Sequence, residues 1–434
     1  MIAPKKEEPA EADVSALRRE TDDFFRPGGR LEIACRNEPF PYEPRLQQRE
    51  MADAIAEAIM DEDHLVVEAG TGVGKSFAYL VPLILAAVRK NVHAVVSTYT
   101  IALQEQLIAK DIPFLQEHMG VKFKAVLVKG RSNYLCLRRL ARARKMGGEL
   151  FVSETAAEIE RIRAWADRTK EGSLQDLEEQ PASEAWDMVC AEQGNCMWNK
   201  CPEYSRCFFM SARKRIRDAN LLVVNHHLLF SELAIRAHGA SFLPPYSMVV
   251  LDEANMVENV ASEHMGIRLS RFAFEYWMRR LYTPDNSKGL LAMLKKGETA
   301  HEVTRLWEET ERFFVAVRKW SRFNGDESQR VVSAPLDIPT AAPDILGRII
   351  AQLGTISDGI KDEDLRAELS SLRRRGGEMK DALEAYLKQA LRDQVYWVER
   401  EGRRKQQMVL YSAPIEVGPH LEKTLFKGLS TVVM

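Results

Sequence analysis

The sequence has no long apolar run: nowhere do hydrophobic residues continue for the roughly 20 positions that a membrane-spanning helix needs. Nor does the opening stretch MIAPKKEEPAEADVSALRRE carry the apolar segment of a secretory signal. Both absences predict a soluble, cytoplasmic chain with no membrane partner. Charge of one sign is also lacking. The 61 Lys and Arg against 63 Asp and Glu leave −2 at pH 7, so any nucleic-acid surface has to be local. Cysteine is scarce, six in 434 residues, which excludes a disulfide scaffold; grouped thiols in a reducing compartment more often bind metal or do redox chemistry. No internal repeat is present. What is there is 45% hydrophobic residues, enough for a large core and for two or three domains.

Residues 1–26 are charged and rich in Glu, Ala and Pro, and read as a mobile tail. From Pro41 to Met60 a helical pattern leads into the apolar strand LVVEA, a glycine-rich turn, the apolar helix SFAYLVPLILAAV and a second strand, HAVVST. Strand, glycine loop, helix and strand open a doubly wound α/β domain, in which ligands sit at the carboxyl ends of the strands. After the strand AVLVKG the chain turns helical, charged and cysteine-bearing over 134–210, which predicts a small insertion. Strands return in ANLLVVNHHLL and SMVVLDEAN, so 27–133 and 211–255 belong to one domain. Residues 256–405 have helical spacing and few strand candidates, and read as a larger helical insertion. QQMVLYSAPIEVG and LSTVVM then predict that the interrupted sheet resumes over 406–434.

The segment Ala69, Gly70, Thr71, Gly72, Val73, Gly74, Lys75, Ser76 fits the phosphate-loop pattern, with alanine at the usual first glycine. The glycines let backbone N–H groups turn inward, Lys75 can reach the β and γ phosphates of ATP, and the Ser76 hydroxyl can ligate Mg²⁺. Such a site needs a carboxylate at the end of a neighbouring strand, and MVVLDEAN supplies Asp252 for the magnesium. Glu253 beside it would orient or deprotonate the attacking water, which separates a hydrolase from a binder. Lys75, Asp252 and Glu253 are therefore the candidate catalytic residues.

Cys196, Cys201 and Cys207 form C-x4-C-x5-C, with Cys136 upstream in KGRSNYLC. Four thiolates suit a tetrahedral zinc or an iron–sulfur cluster, and spacing alone does not choose between them. Cys190 would overfill a four-ligand site and is read as spare; Cys35 is read as a small hydrophobe in an N-terminal strand. Lys129, Arg131, Asn133 and Tyr134 combine two cations, an amide and a ring, a mixture that suits single strands. The basic runs RRLARARK and RKRIR flank the cysteine segment and would supply a local basic surface. His226 and His227 follow a buried strand and are read as structural.

Taken together, the phosphate loop, DEAN at Asp252 to Asn255, and a lone cysteine followed by a compact triple ending in CFF resemble the XPD/DinG-type iron–sulfur helicases of superfamily 2. The resemblance spans Pro41 to Met434. It implies a RecA-like P-loop sheet carrying a small helical iron–sulfur domain and a larger helical, Arch-like domain. It implies a [4Fe–4S] cluster on Cys136, Cys196, Cys201 and Cys207, with zinc as the alternative. It also implies adenine recognition by Arg45 and Gln48 in YEPRLQQREM, and DNA-backbone contacts from Thr98, Thr100 and Gln104 in STYTIALQEQL, where helix capping is the competing role for Thr100. The implied activity is an ATP-dependent, 5′ to 3′ DNA helicase acting on single strands or forks in repair or replication. In that family a second motor domain follows the position of Met434, so these residues alone are expected to hydrolyse ATP feebly or not at all. The competing class is a cluster-bearing DNA-binding or redox-sensing module with a vestigial ATP site, for which Glu253 would be superfluous.

Overall fold

A computed structural model describes residues 11–36, 42–150, 153–237, 239–325, 327–402 and 407–434. Its strands among these are β1 (His93–Thr98), β2 (Ala125–Leu127), β3 (Leu221–Asn225), β4 (Tyr246–Leu251), β5 (Arg268–Ser270), β6 (Gln329–Val331), β7 (Gln394–Glu401), β8 (Gln407–Pro414) and β9 (Thr431–Val433). The chain divides into two compact units, one of Met1–Lys129, Arg213–His264 and Glu416–Met434, the other of Gly130–Ala212 and Met265–Ile415.

The first unit is the α/β domain. Its parallel sheet has the order β2-β3-β1-β4-β9. The central strands read as continuous apolar runs because helices cover both faces, and β1, β3 and β4 are buried almost end to end. LVVEA extends the sheet past β9 more sparsely than expected: Leu65 N–H donates to Val432 O at 2.9 Å and Val67 N–H to Met434 O at 2.8 Å. Val66 between them is 79% exposed. This segment is an edge, so its alternate side chains face solvent.

The helix Lys75–Lys90 buries every residue from Ala78 to Ala87. Helix Leu46–Asp61 packs on it with Ala52, Ile55, Ala56 and Ile59. The expected N-terminal tail is largely ordered: Glu11–Phe25 is a helix that adds Leu17, Phe24 and Phe25 to this core. Arg89 and Arg49 pin it through Glu20 and Asp22, at 2.5 and 2.6 Å. Its charged residues had hidden apolar positions at helical spacing; only residues 1–10 of the expected tail lie outside the described residues. Cys35 ends a short helix, Arg30–Cys35, and is not on a strand.

The second unit is less helical than its sequence suggested. Beside the helices Gly297–Ser321, Ala342–Asp358 and Glu363–Lys388 it holds an antiparallel sheet of order β5-β8-β7-β6. QMVLYSAP is β8 of that sheet, paired with β7 along its whole length. Only β9 returns to the parallel sheet, which corrects the expectation for 406–434. The core gathers Phe274, Trp277, Phe314, Leu346, Leu383 and Tyr386. Gly376 is required inside its helix, since a Cβ there would lie 2.7 Å from Trp277 Cζ2. The cysteine-bearing segment has its own small core around Leu135, Ile162, Trp165, Trp186 and Val189. Among the described residues no helix is long and apolar enough to cross a membrane.

Candidate nucleotide site and cysteine cluster

The phosphate loop joins the edge segment to the helix Lys75–Lys90, and its glycines are needed for conformation. Gly72 and Gly74 take φ of 83° and 85°, the left-handed region that favours glycine. Gly74 is the N-cap of that helix and offers no capping side chain, so the first N–H groups are left for an anion. Gln48 Nε2 donates to Gly74 O at 2.9 Å. A Cβ on Gly74 would lie 3.6 Å from Arg45 Nη1. Arg45 and Gln48 thus stand beside the loop, although in this state Gln48 braces the loop itself.

Asp252 follows β4 directly, and its N–H donates to Ser97 O on β1 at 2.9 Å. Its carboxylate accepts from the Tyr79 hydroxyl at 3.0 Å. Tyr79 is fully buried one turn into the phosphate-loop helix, and burial, then the Asp252 charge, holds its hydroxyl well above the ordinary value. Ser76 lies close enough to both Tyr79 and Asp111 to lower their pKa values, against burial, which raises both. The two hydroxyls and two carboxylates make a compact hard-oxygen set beside the phosphate loop, chemistry that suits Mg²⁺ with its water shell. Glu253 is exposed and takes the left-handed conformation, φ 60° and ψ 51°. Sequence reading had singled out Lys75, Ser76, Asp252 and Glu253 but not Tyr79 and Asp111. Tyr79 had one signal, its place four residues after Lys75 on the same helix face; Asp111 had none.

The four chosen cysteines lie in the second unit, each half-buried. Cys136 precedes the helix Leu137–Leu150, while the triple is spaced by the short turns Trp198–Lys200 and Tyr204–Arg206. Burial raises the Cys201 and Cys207 thiols, and the Cys136 and Cys196 sulfurs raise both further, so the four share one patch. Among the described residues no three His, Cys, Asp or Glu side chains sit close enough to hold a single metal ion. Cys190 is buried elsewhere, against the Asp187 carbonyl at 3.8 Å.

The residues expected to touch DNA are placed unevenly. Thr98 and Gln104 are buried, which removes them from the surface. Thr100 caps the helix Ile101–Gln106, its hydroxyl accepting from Leu103 N–H at 3.2 Å. Tyr99 and Ile101, which the sequence reading passed over, are the exposed large side chains of that segment. Lys129 is half-buried. In the second unit Asn133 donates to Gly130 O at 3.3 Å. Tyr134 is buried edge-on against Phe209 and offers no free face for a base. Arg131 stacks over Phe209 at 4.4 Å and Trp198 at 5.3 Å. Trp198 and Tyr204 are the exposed rings here, at 49% and 42%.

The run RRLARARK is not a basic surface where it begins. Arg138 and Arg139 are buried: Arg138 reaches Asp364 and Asn195, Arg139 the carbonyls of Asp187 and Cys190. Glu192 and Glu368 complete a buried ionic network with Arg280, which bonds Glu192 at 2.8 and 2.9 Å and Glu368 more closely.

A glycine loop opening a helix, with a strand-end carboxylate joined to that helix, is the arrangement that a P-loop nucleotide site requires. Residues 48–177 match the family model of the DEAD/DEAH box helicase. Over about half of its length the chain is similar to the DinG and YoaA helicases. It is 37% identical over 252 residues to the ATP-dependent DNA helicase YoaA of Escherichia coli (strain K12), covering 58% of this chain and 38% of that protein. It is 37% identical over 228 residues to the ATP-dependent helicase DinG of Mycobacterium tuberculosis (strain ATCC 25618 / H37Rv), covering 49% and 34%. Similarity to the ATP-dependent DNA helicase DinG of Photobacterium profundum is lower, 24%, but runs over 90% of this chain and 62% of that one. A solved structure titled "Truncated XPD" aligns over 88% of the chain and 91% of its own, with 14% identity and a TM-score of 0.44. The matched parts span about a third to two fifths of the length of the YoaA and DinG proteins that are 37% identical.

Proposed function

We propose that this chain is the ATP-binding motor portion of an ATP-dependent DNA helicase that moves 5′ to 3′ on single-stranded DNA. The observation that carries the reading is the bond from the buried Tyr79 hydroxyl to Asp252. A bare structural glycine turn has no use for a carboxylate drawn to its helix from a strand 173 residues away. Lys75 neutralises phosphate charge, Ser76 and Asp252 hold Mg²⁺, and Glu253 orients the attacking water. Arg45 and Gln48 meet the adenine. In this reading 134–210 is a cluster domain whose Cys136, Cys196, Cys201 and Cys207 hold a [4Fe–4S] group. The helices and sheet from Met265 to Ile415 form the Arch-like insertion, and DNA contacts come from Thr100, Lys129 and Arg131.

Two measurements test this. Binding of an ATP analogue with Mg²⁺, and ATP hydrolysis with and without oligo(dT), are compared for the native chain, Lys75→Ala and Glu253→Gln. Absence of Mg²⁺-dependent nucleotide binding in the native chain defeats the motor reading in favour of a binding or redox module. Iron, sulfide and zinc are measured on anaerobically purified protein; zinc without iron defeats the cluster.

A further inference from the structure

His226 opens the helix His226–Ala237 immediately after β3, and it is fully buried. Asn225 already caps that helix through Leu228 N–H at 2.8 Å, so His226 has no capping duty. Its Nδ1 is 2.7 Å from the Ser97 hydroxyl on β1. Its Nε2 is buried with no hydrogen-bond partner, an arrangement that is costly unless another state supplies one. Burial lowers the ring's pKa, and the nearby backbone of Asp252 and Glu253 opposes that shift, although no contact of hydrogen-bonding geometry reaches Nε2; Tyr99 flanks the ring at 6.3 Å between centroids. Ser97 O in turn accepts from Asp252 N–H at 2.9 Å. One imidazole thus lies between the turn that carries the candidate catalytic carboxylates and the end of β1, two residues before Tyr99, and is bonded only to the latter. That turn is itself poised: Glu253 is a non-glycine residue at φ 60°, a conformation that persists only when its surroundings hold it.

We propose that His226 is a positioning residue that couples the nucleotide site to the exposed Tyr99–Ile101 segment, by closing a bond from Nε2 to the Asp252–Glu253 turn when Glu253 leaves its left-handed conformation. The Ser97 hydroxyl then carries the change to β1. With Ser97 donating to Nδ1, Nε2–H is the free donor and a backbone carbonyl of the turn is its acceptor; no bond is made or broken beyond hydrogen bonds. The inference rests on the reading that this unit binds both nucleotide and single-stranded DNA. By linkage, an analogue that closes the bond tightens DNA binding by the factor by which DNA tightens the analogue.

The test measures the affinity of the native chain for fluorescein-labelled oligo(dT), with and without a saturating non-hydrolysable ATP analogue and Mg²⁺. The expected coupling is about 5-fold or more. His226→Asn keeps an amide where Nδ1 stands but nothing at Nε2; its coupling factor should fall to about one, with each single-ligand affinity within about 2-fold of native. His226→Gln, which reaches the Nε2 position, should retain part of the coupling. Ser97→Ala cuts the other arm without disturbing packing and should also uncouple, which keeps the test decisive if His226→Asn does not fold. Native coupling in both His226→Asn and Ser97→Ala overturns the proposal, as does a variant that loses single-ligand affinity while keeping the factor. A native chain that binds both ligands with a factor of one overturns the inference alone. One that binds neither overturns the functional reading, and the inference falls with it.

Discussion

Replacing Glu368 by alanine is expected to destabilise the second unit, because the carboxylate sits in a buried ionic network. Its side chain is 11% exposed and that of Arg280 is 8%. Burial alone would push the Glu368 carboxyl up; Arg280, Arg139 and Arg142 outweigh it and hold the group well below the usual carboxylate range. Asn195 Nδ2 also donates to it, at 2.5 Å. Removing one member of a buried pair leaves the other charge uncompensated, at about 3–5 kcal/mol. Arg280 keeps its two bonds to Glu192, which places the loss at the lower end, about 3 kcal/mol. For a unit of this size that lowers the melting temperature by about 6–12 °C. The pH dependence follows from the sign of the shift. An unfolded Glu titrates near about 4.3, and the folded group lies below it. The stabilisation is therefore complete above that value and is lost as pH falls from there through the folded pKa. Glu368→Gln has no such titration, so its melting temperature should lie below native at pH 7 and the gap should narrow below about pH 4. Calorimetry of native, Glu368→Ala and Glu368→Gln at pH 7 and at acid pH checks both. A Glu368→Ala melting point within about 1 °C of native, or a Glu368→Gln gap that does not change with pH, refutes the reasoning.

Glu253→Gln should bind Mg·ATP normally and cut whatever hydrolysis the native chain shows by about 10²- to 10⁴-fold, the usual contribution of a positioned base; Lys75→Ala should lose the binding itself, as a titration of fluorescent nucleotide would report. Cys136→Ser and Cys201→Ser should each lose iron and visible absorbance, whereas Cys190→Ser, whose sulfur lies against Asp187, should keep both. Trp198→Ala should weaken oligo(dT) binding about 5- to 150-fold, the stacking contribution of one base; an unchanged affinity by fluorescence anisotropy would remove that exposed ring from the DNA path. Phe24→Ala should cost about 3–5 kcal/mol in a urea titration, because the N-terminal helix is part of the core.

What the sequence displayed, and what it concealed, divides by the range of the interaction. The phosphate loop, β1, β3 and β4 were legible because each is a short run whose residues serve one local purpose, a turn or a strand buried on both faces. RRLARARK misled for the opposite reason. Four arginines in eight positions look like a solvated face until carboxylates arrive from far along the chain, and Asp364 lies 226 residues from Arg138. The same holds for β7 and β8, which read as insertion and as a return to the parallel sheet. Their alternation fits an antiparallel pair, but nothing local says which sheet they join. Tyr134 looked like a stacking ring because Phe209 and Ala212, which bury it, are brought back from far along the chain, after the cysteine loop.

The candidate nucleotide site shows why partial legibility was enough to point to it. β1 lies between β3 and β4, so three things meet at its carboxyl end. These are the DEAN turn after β4, the imidazole after β3, and its own continuation into Tyr99 and Thr100. A parallel sheet delivers strand ends to one edge whatever lies between the strands in sequence, and here the cysteine segment and its flanking helices separate β2 from β3 by more than 90 residues without moving that edge. Insertions of that size are tolerated because the site depends on strand order and on three strand ends. They also leave the chemistry-bearing motifs intact as short words in the sequence, while the contacts that join the words, Tyr79 to Asp252 and Ser97 to His226, belong only to the fold.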